Sequence, residues 1–150
     1  MTKKYIEEGK KLEKAIDIAI ESFKKYPPKD FNQENLDHVI KCYLEFKDSI
    51  FKCEPQFLNL SSLKYTISDV FTYFLEGSGP NVEFFWKKIK NNNLDYERKN
   101  PLDKILKRGK IKNDIEYQLV IDMIPVAEQS GLISKDQEKA LSEMLGKYEN

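Results

Sequence analysis

The stretch Tyr117 to Ile124, YQLVIDMI, decides the fold class of this chain. Taken alone it passes as a buried β-strand, because a short apolar run does not separate a strand from a buried helix segment. Its flanks favour helix. Asn113 with Glu116 three residues later has the pattern of a capping box, which satisfies orphan backbone donors at a helix start. From that start Ile115, Leu119, Val120, Met123, Ile124 and Ala127 fall at helical spacing. Pro125 is expected to kink or split this helix, since it lacks a backbone donor and crowds the preceding turn.

The same spacing recurs on both sides. Tyr5, Leu12, Ile16, Ala19, Ile20 and Phe23 predict a first helix over Thr2 to Lys25, stopped by Pro27 and Pro28. Leu36, Val39, Ile40, Tyr43, Phe46 and Ile50 predict a second, capped by Asp30 or Asn32 and closed by Pro55. Leu60, Leu63, Ile67, Val70, Phe71 and Phe74 predict a third, capped by Ser61 or Ser62 and ended at Gly77. Pro80 suits the first turn of a fourth helix, which carries Val82, Phe85, Trp86 and Ile89 and dissolves into an Asn run. Asn100–Pro101 starts a short fifth helix that Gly109 stops, and Ser134 with Gln137 caps a last one. No alternating strand and no internal repeat is present. The expected fold is all-α, a single-domain bundle of six to seven helices over residues 1–150.

Composition bounds the function classes. A chain of 150 residues suits one domain, which buries about 70% of its unfolded surface. Nine Phe, eight Tyr and one Trp add large buried areas to a modest apolar content. Lys and Arg number 25 against 25 Asp and Glu, a balance that suits neither a general polyanion binder nor an acidic disordered chain. The start has a basic pair without a following apolar run, and no segment approaches the ~18 apolar residues of a membrane span. A cytoplasmic protein with no membrane partner is expected. Cys42 and Cys53 lie on one helix, roughly 16 Å apart at about 1.5 Å rise per residue. That exceeds disulfide reach, so both are expected to be free thiols.

Candidate chemistry is thin. His38, the single histidine, stands four residues before Cys42 and could give two metal ligands, but a zinc site needs at least three converging on a point. A nucleophile system would have to run through His38, and no strand–turn–helix elbow supports one. Gly77-Ser78-Gly79 lacks the later Gly and the Lys-Ser/Thr pair of a phosphate cradle. Gly131 to Gln137 resembles half of a calcium loop without the alternating upstream Asp and Asn ligands. No enzyme activity, cofactor or metal is expected. Phe84 points away from its helix's apolar stripe, so a second helix covers it or the ring is exposed for a partner.

Charge is unevenly spread. Residues 1–85 hold 12 basic and 14 acidic side chains, residues 86–112 hold 10 and 3, and residues 113–150 hold 3 and 8. The segment PLDKILKRGKIKNDIEYQLVIDMI has the outline of a helix-turn-helix, whose second helix would enter the major groove. That second helix carries Asp114, Glu116 and Asp122 and no cation, which would repel phosphates. Phosphate contact by Lys104, Lys107, Arg108 and Lys110 is the remaining nucleic-acid reading, through the 98–112 basic segment. Asp103 four residues before Lys107, and cations in the last helical turn, are explained by ordinary helix stabilisation. Arg98, Lys99, Lys110 and Lys112 on the flanking loops are not.

The run from Phe85-Trp86-Lys87-Lys88-Ile89 through Leu94-Asp95-Tyr96 and Arg98 to ILKRGKIKNDIEYQLVIDMI resembles a pattern of small helical bacterial proteins, some of them similar to toxin-immunity proteins. It covers about the second half of the chain. The resemblance implies a non-catalytic bacterial protein that binds another protein, an immunity factor occluding a toxin's functional site. The expected docking surface has Arg98, Lys99, Arg108 and Lys110 as its rim and Phe84 as its anchor.

Overall fold

Each helix begins where local chemistry can satisfy its free backbone donors. In the computed structural model, which describes residues 1–129 and 131–150, Thr2 Oγ1 accepts from the Tyr5 amide at 3.1 Å and opens α1 (Lys3–Lys25). Asn32 does the same for Asn35 at 2.8 Å, opening α2 (Gln33–Lys52). Pro55 then starts a single 3-10 turn (Pro55–Phe57) instead of prolonging α2. α3 (Leu60–Glu76) is capped by Asn59, whose Oδ1 accepts from the Ser62 amide at 2.9 Å. The expected caps, Ser61 and Ser62, are already inside the first turn. Gly79, at φ 115, delivers the chain to Pro80 at the head of α4 (Pro80–Asn91).

α5 (Asp103–Arg108) starts later than Asn100–Pro101 suggests, because Asn100 uses its Oδ1 on the Leu102 amide (3.0 Å) in a turn ahead of the helix. Gly109 ends it in the left-handed region, at φ 82. α6 (Asp114–Gln129) keeps Pro125 inside it and is not split. The carbonyl that Pro125 leaves unpaired is that of Ile121, on the exposed side of the helix, where water can satisfy it. α7 (Lys135–Glu149) opens on a complete Ser134/Gln137 capping box. With seven α-helices and no strand among the described residues, the all-α class is borne out.

The chain divides into two compact units. The first comprises Met1–Phe74 and Gly79–Glu97, where α1 packs on α2 and α4. Its core holds an aromatic cluster: Phe23 lies 5.0–5.5 Å from the rings of Tyr73, Phe74 and Tyr43, and Phe74 stacks on Phe85 at 3.8 Å. Three of the large rings place a polar atom on a main-chain carbonyl. The Tyr5 hydroxyl donates to Ile50 O (2.5 Å), Tyr43 to Val70 O (2.7 Å) and the Trp86 indole to Phe74 O (2.8 Å). Each bond removes the desolvation cost of a buried donor.

The second unit comprises Leu75–Ser78 and Arg98–Asn150. There α6 packs along α7, and Leu102, Ile105, Ile111, Val120, Met123, Ala127, Ile133 and Leu141 form an aliphatic core. Tyr117 donates to Glu149 (2.5 Å) and Tyr148 donates to Asp114, their rings 5.2 Å apart, tying the end of α7 to the start of α6.

Candidate functional site

The residues expected at a docking surface divide between the units. Phe84, on α4 of the first unit, is half-buried. The end of α1 covers it: Tyr26 lies 5.6 Å from its ring, and the Lys25 and Lys88 ammonium groups stand 5.1 and 5.7 Å from the ring centroid. The ring is therefore engaged by its own chain through cation–π and aromatic contacts.

The four cations belong to the second unit. Arg98 is half-buried, with Nε and Nη2 withdrawn from solvent. Arg108 reaches back to Glu116 at 2.6 Å and donates to the Lys110 carbonyl at 3.3 Å. Glu116 also accepts from the Lys112 amide at 3.0 Å, while Asn113 Oδ1 accepts from the Glu116 amide at 2.9 Å. The expected capping box is thus rearranged: the reciprocal bond goes to Lys112 rather than to Asn113, and a guanidinium joins it. The Arg108 hydrogen bond and the Lys112 amide hold the Glu116 carboxyl below its ordinary pKa. Lys99, Arg108 and Lys110 are exposed, and of these Arg108 is engaged with Glu116.

His38 and Cys42 lie on α2 with Nε2 and Sγ 3.7 Å apart. Among the described residues no three His, Cys, Asp or Glu side chains converge as metal ligands would, and both cysteines are free thiols. No helix among them is long and apolar enough to cross a membrane.

Three exposed apolar side chains lie close in sequence elsewhere in the first unit. After α2 the chain turns through Pro55–Phe57 and enters α3, leaving Phe57 49%, Leu60 43% and Tyr65 76% exposed. Phe57 and Tyr65 stand at a cavity of about 320 Å³ whose floor is Tyr5, Ile50 and Leu63, all buried. Ser49, Cys53, Ser62 and Thr66 complete the lining. No charged side chain is among these residues, in a chain of which one third is charged. Burial, and after it the neighbouring Cys53, raise the Tyr5 pKa, so its phenol stays protonated and keeps its bond to Ile50.

This cluster is not among the residues expected at a docking surface. Its signal was present: Tyr65 lies about 200° round α3 from Leu63, off the apolar stripe, and Phe57 follows a helix-stopping proline. The sequence pattern does not show that Tyr5 of α1 joins Ile50 and Leu63 in the floor beneath them.

No protein-family model matches the chain, and no curated protein and no solved structure matches it.

Proposed function

We propose that this chain is a non-catalytic protein that binds another protein and occludes its functional site, anchored by Phe57 and Tyr65 at the Tyr5 cavity of the first unit. The observation that carries this reading is the uncharged cavity of about 320 Å³ rimmed by exposed aromatic rings. Binding hot spots are aromatic-rich, centred on well-packed pockets and surrounded by polar residues that exclude water. Lys99 and Lys110, in the second unit, are exposed and are not assigned to this face. Arg108, held on Glu116, instead orders the entry to α6. The immunity form of the reading, with a toxin as partner in a bacterial cytoplasm, draws on the resemblance of the second half of the chain. It adds a specific expectation: the partner's activity falls in proportion to complex formed.

Two observations weigh against the nucleic-acid alternative. Arg108 is neutralised by Glu116, and α6 exposes Asp114 and Asp122. The test places a photo-crosslinking phenylalanine at position 57, 65 or, as a control, 139 in the organism of origin. A discrete protein crosslinked from 57 and 65 alone is expected. In the purified complex, Phe57→Ala and Tyr65→Ala should each weaken binding by at least ~10-fold, about 1.4 kcal/mol or more. Unchanged affinity in both variants would sink the anchor. Affinity for DNA or RNA that falls log-linearly with salt would favour the alternative.

A further inference from the structure

In the second unit the fold leaves charges of both signs and one apolar side chain uncovered along a single line of α6. Lys110 and Lys112 stand on the loop that enters the helix, exposed and without an ion pair, since Arg108 is the cation that Glu116 holds. Ile115, in the first turn, is 82% exposed, the highest value of any large apolar side chain described. Asp122, two turns further on, is also exposed and meets one amide, that of Gln118, at 2.9 Å. At about 100° per residue Ile115 and Asp122 lie within about 20° of each other round α6, and half-buried Leu119 borders them on the other side of Ile115. Cations end where this line turns acidic: residues 113–134 hold no Lys or Arg.

Reversed, this line is complementary to itself. Two α6 helices laid antiparallel about a two-fold axis bring residue i of one copy to residue j of the other, and j to i. An axis level with Tyr117 sets Lys112 of each copy against Asp122 of the other, and Ile115 against Leu119. A parallel pair would set like charges together. A partner of one charge would satisfy one end of the line and meet its own sign at the other, whereas a second copy satisfies both. The chain's zero formal charge adds no net repulsion between copies. We propose that the second unit docks a second copy of this chain through α6, in a two-fold antiparallel pair. This is independent of the cavity face of the first unit. One helix pair makes a seam smaller than the roughly 1,200–2,000 Å² of a standard interface, so the dimer is weak and salt-sensitive.

Sedimentation velocity of the full chain tests this, over concentrations up to about 1 mM and at about 0.01 M and about 1 M salt, where charges are screened over roughly 30 Å and 3 Å. A dimer that forms at the lower salt and dissociates at the higher is expected. Lys112→Glu and Asp122→Lys should each abolish it, because either homodimer then faces like charges twice. Mixed one to one, the two variants should dimerise again, since every contact between positions 112 and 122 regains opposite signs. That recovery separates a lost contact from a damaged fold. Ile115→Ser, at an exposed position, should weaken association roughly 10-fold. A monomer at the highest concentration and low salt overturns the proposal. A dimer unmoved by both charge reversals also overturns it, as does a mixture that recovers nothing.

Discussion

Replacing Gly9 and Gly146 by alanine, one at a time, makes the same chemical change inside two helices with opposite expected signs. In an open helix interior, alanine is better than glycine by about 1 kcal/mol, because glycine loses more backbone freedom on folding. At Gly146 on α7 an added Cβ meets nothing within 4 Å, so the full gain is expected. At Gly9 on α1 the same atom would lie 2.6 Å from Phe51 Cζ and 2.9 Å from Ile50 Cγ2. The tip of the half-buried Phe51 ring can swing aside. Ile50, 1% exposed, cannot. Overpacking of this kind costs about 1–3 kcal/mol, which outweighs the propensity gain and leaves a net loss of about 1 kcal/mol. Urea denaturation followed by far-UV circular dichroism reads both variants, and melting should move by roughly 2–4 °C per kcal/mol in a chain of this length. Phe51→Ala in the Gly9→Ala background should recover part of the loss. Stabilisation of Gly9→Ala equal to that of Gly146→Ala would refute the close approach of α1 and α2.

Ser134→Ala removes the hydroxyl half of the α7 capping box and should lower stability by about 1 kcal/mol in the same denaturation assay. Phe85→Ala deletes a fully buried ring stacked on Phe74 and should cost about 3–5 kcal/mol, visible as a large drop in the urea midpoint. Glu116 sets an acid dependence. Its folded pKa is depressed, so its contribution is complete above the unfolded value of about 4.3 and is lost as pH falls through the folded value. Glu116→Gln should therefore flatten the stability profile below about pH 4.3, and a wild-type-like acid limb in that variant would contradict the assignment.

Helix starts and stops were legible where one residue type had no competitor. Ser134 with Gln137, Pro80 and Gly109 each impose a local geometry that their neighbours cannot override. At the start of α3 three nearby polar residues could all cap, and Asn59 prevailed over Ser61 and Ser62. The role of Arg108 was hidden for a different reason. Placement in a last helical turn explains its charge without any partner, and only the fold turns the side chain onto Glu116 eight positions away. Gly9 looks like a weak point of α1 until Ile50 and Phe51 of α2 are set beside it. The cavity was the least legible feature. Its floor and rim come from residues as distant in sequence as Tyr5 and Tyr65, each of which carries a helical pattern that says nothing about the other.

The three ring-to-carbonyl bonds of the first unit bear on how such a core holds a single arrangement. Smooth aromatic rings pack against one another at many offsets with similar energy, so helices joined by them alone could slide or rotate by a fraction of a turn. Tyr5 on Ile50, Tyr43 on Val70 and Trp86 on Phe74 act as dowels, each joining a side chain of one helix to one carbonyl of another. Individually such bonds contribute only about 1 kcal/mol. Together they fix the axial offset of α2 on α1, α3 on α2 and α4 on α3, and so hold the walls of the Tyr5 cavity in register.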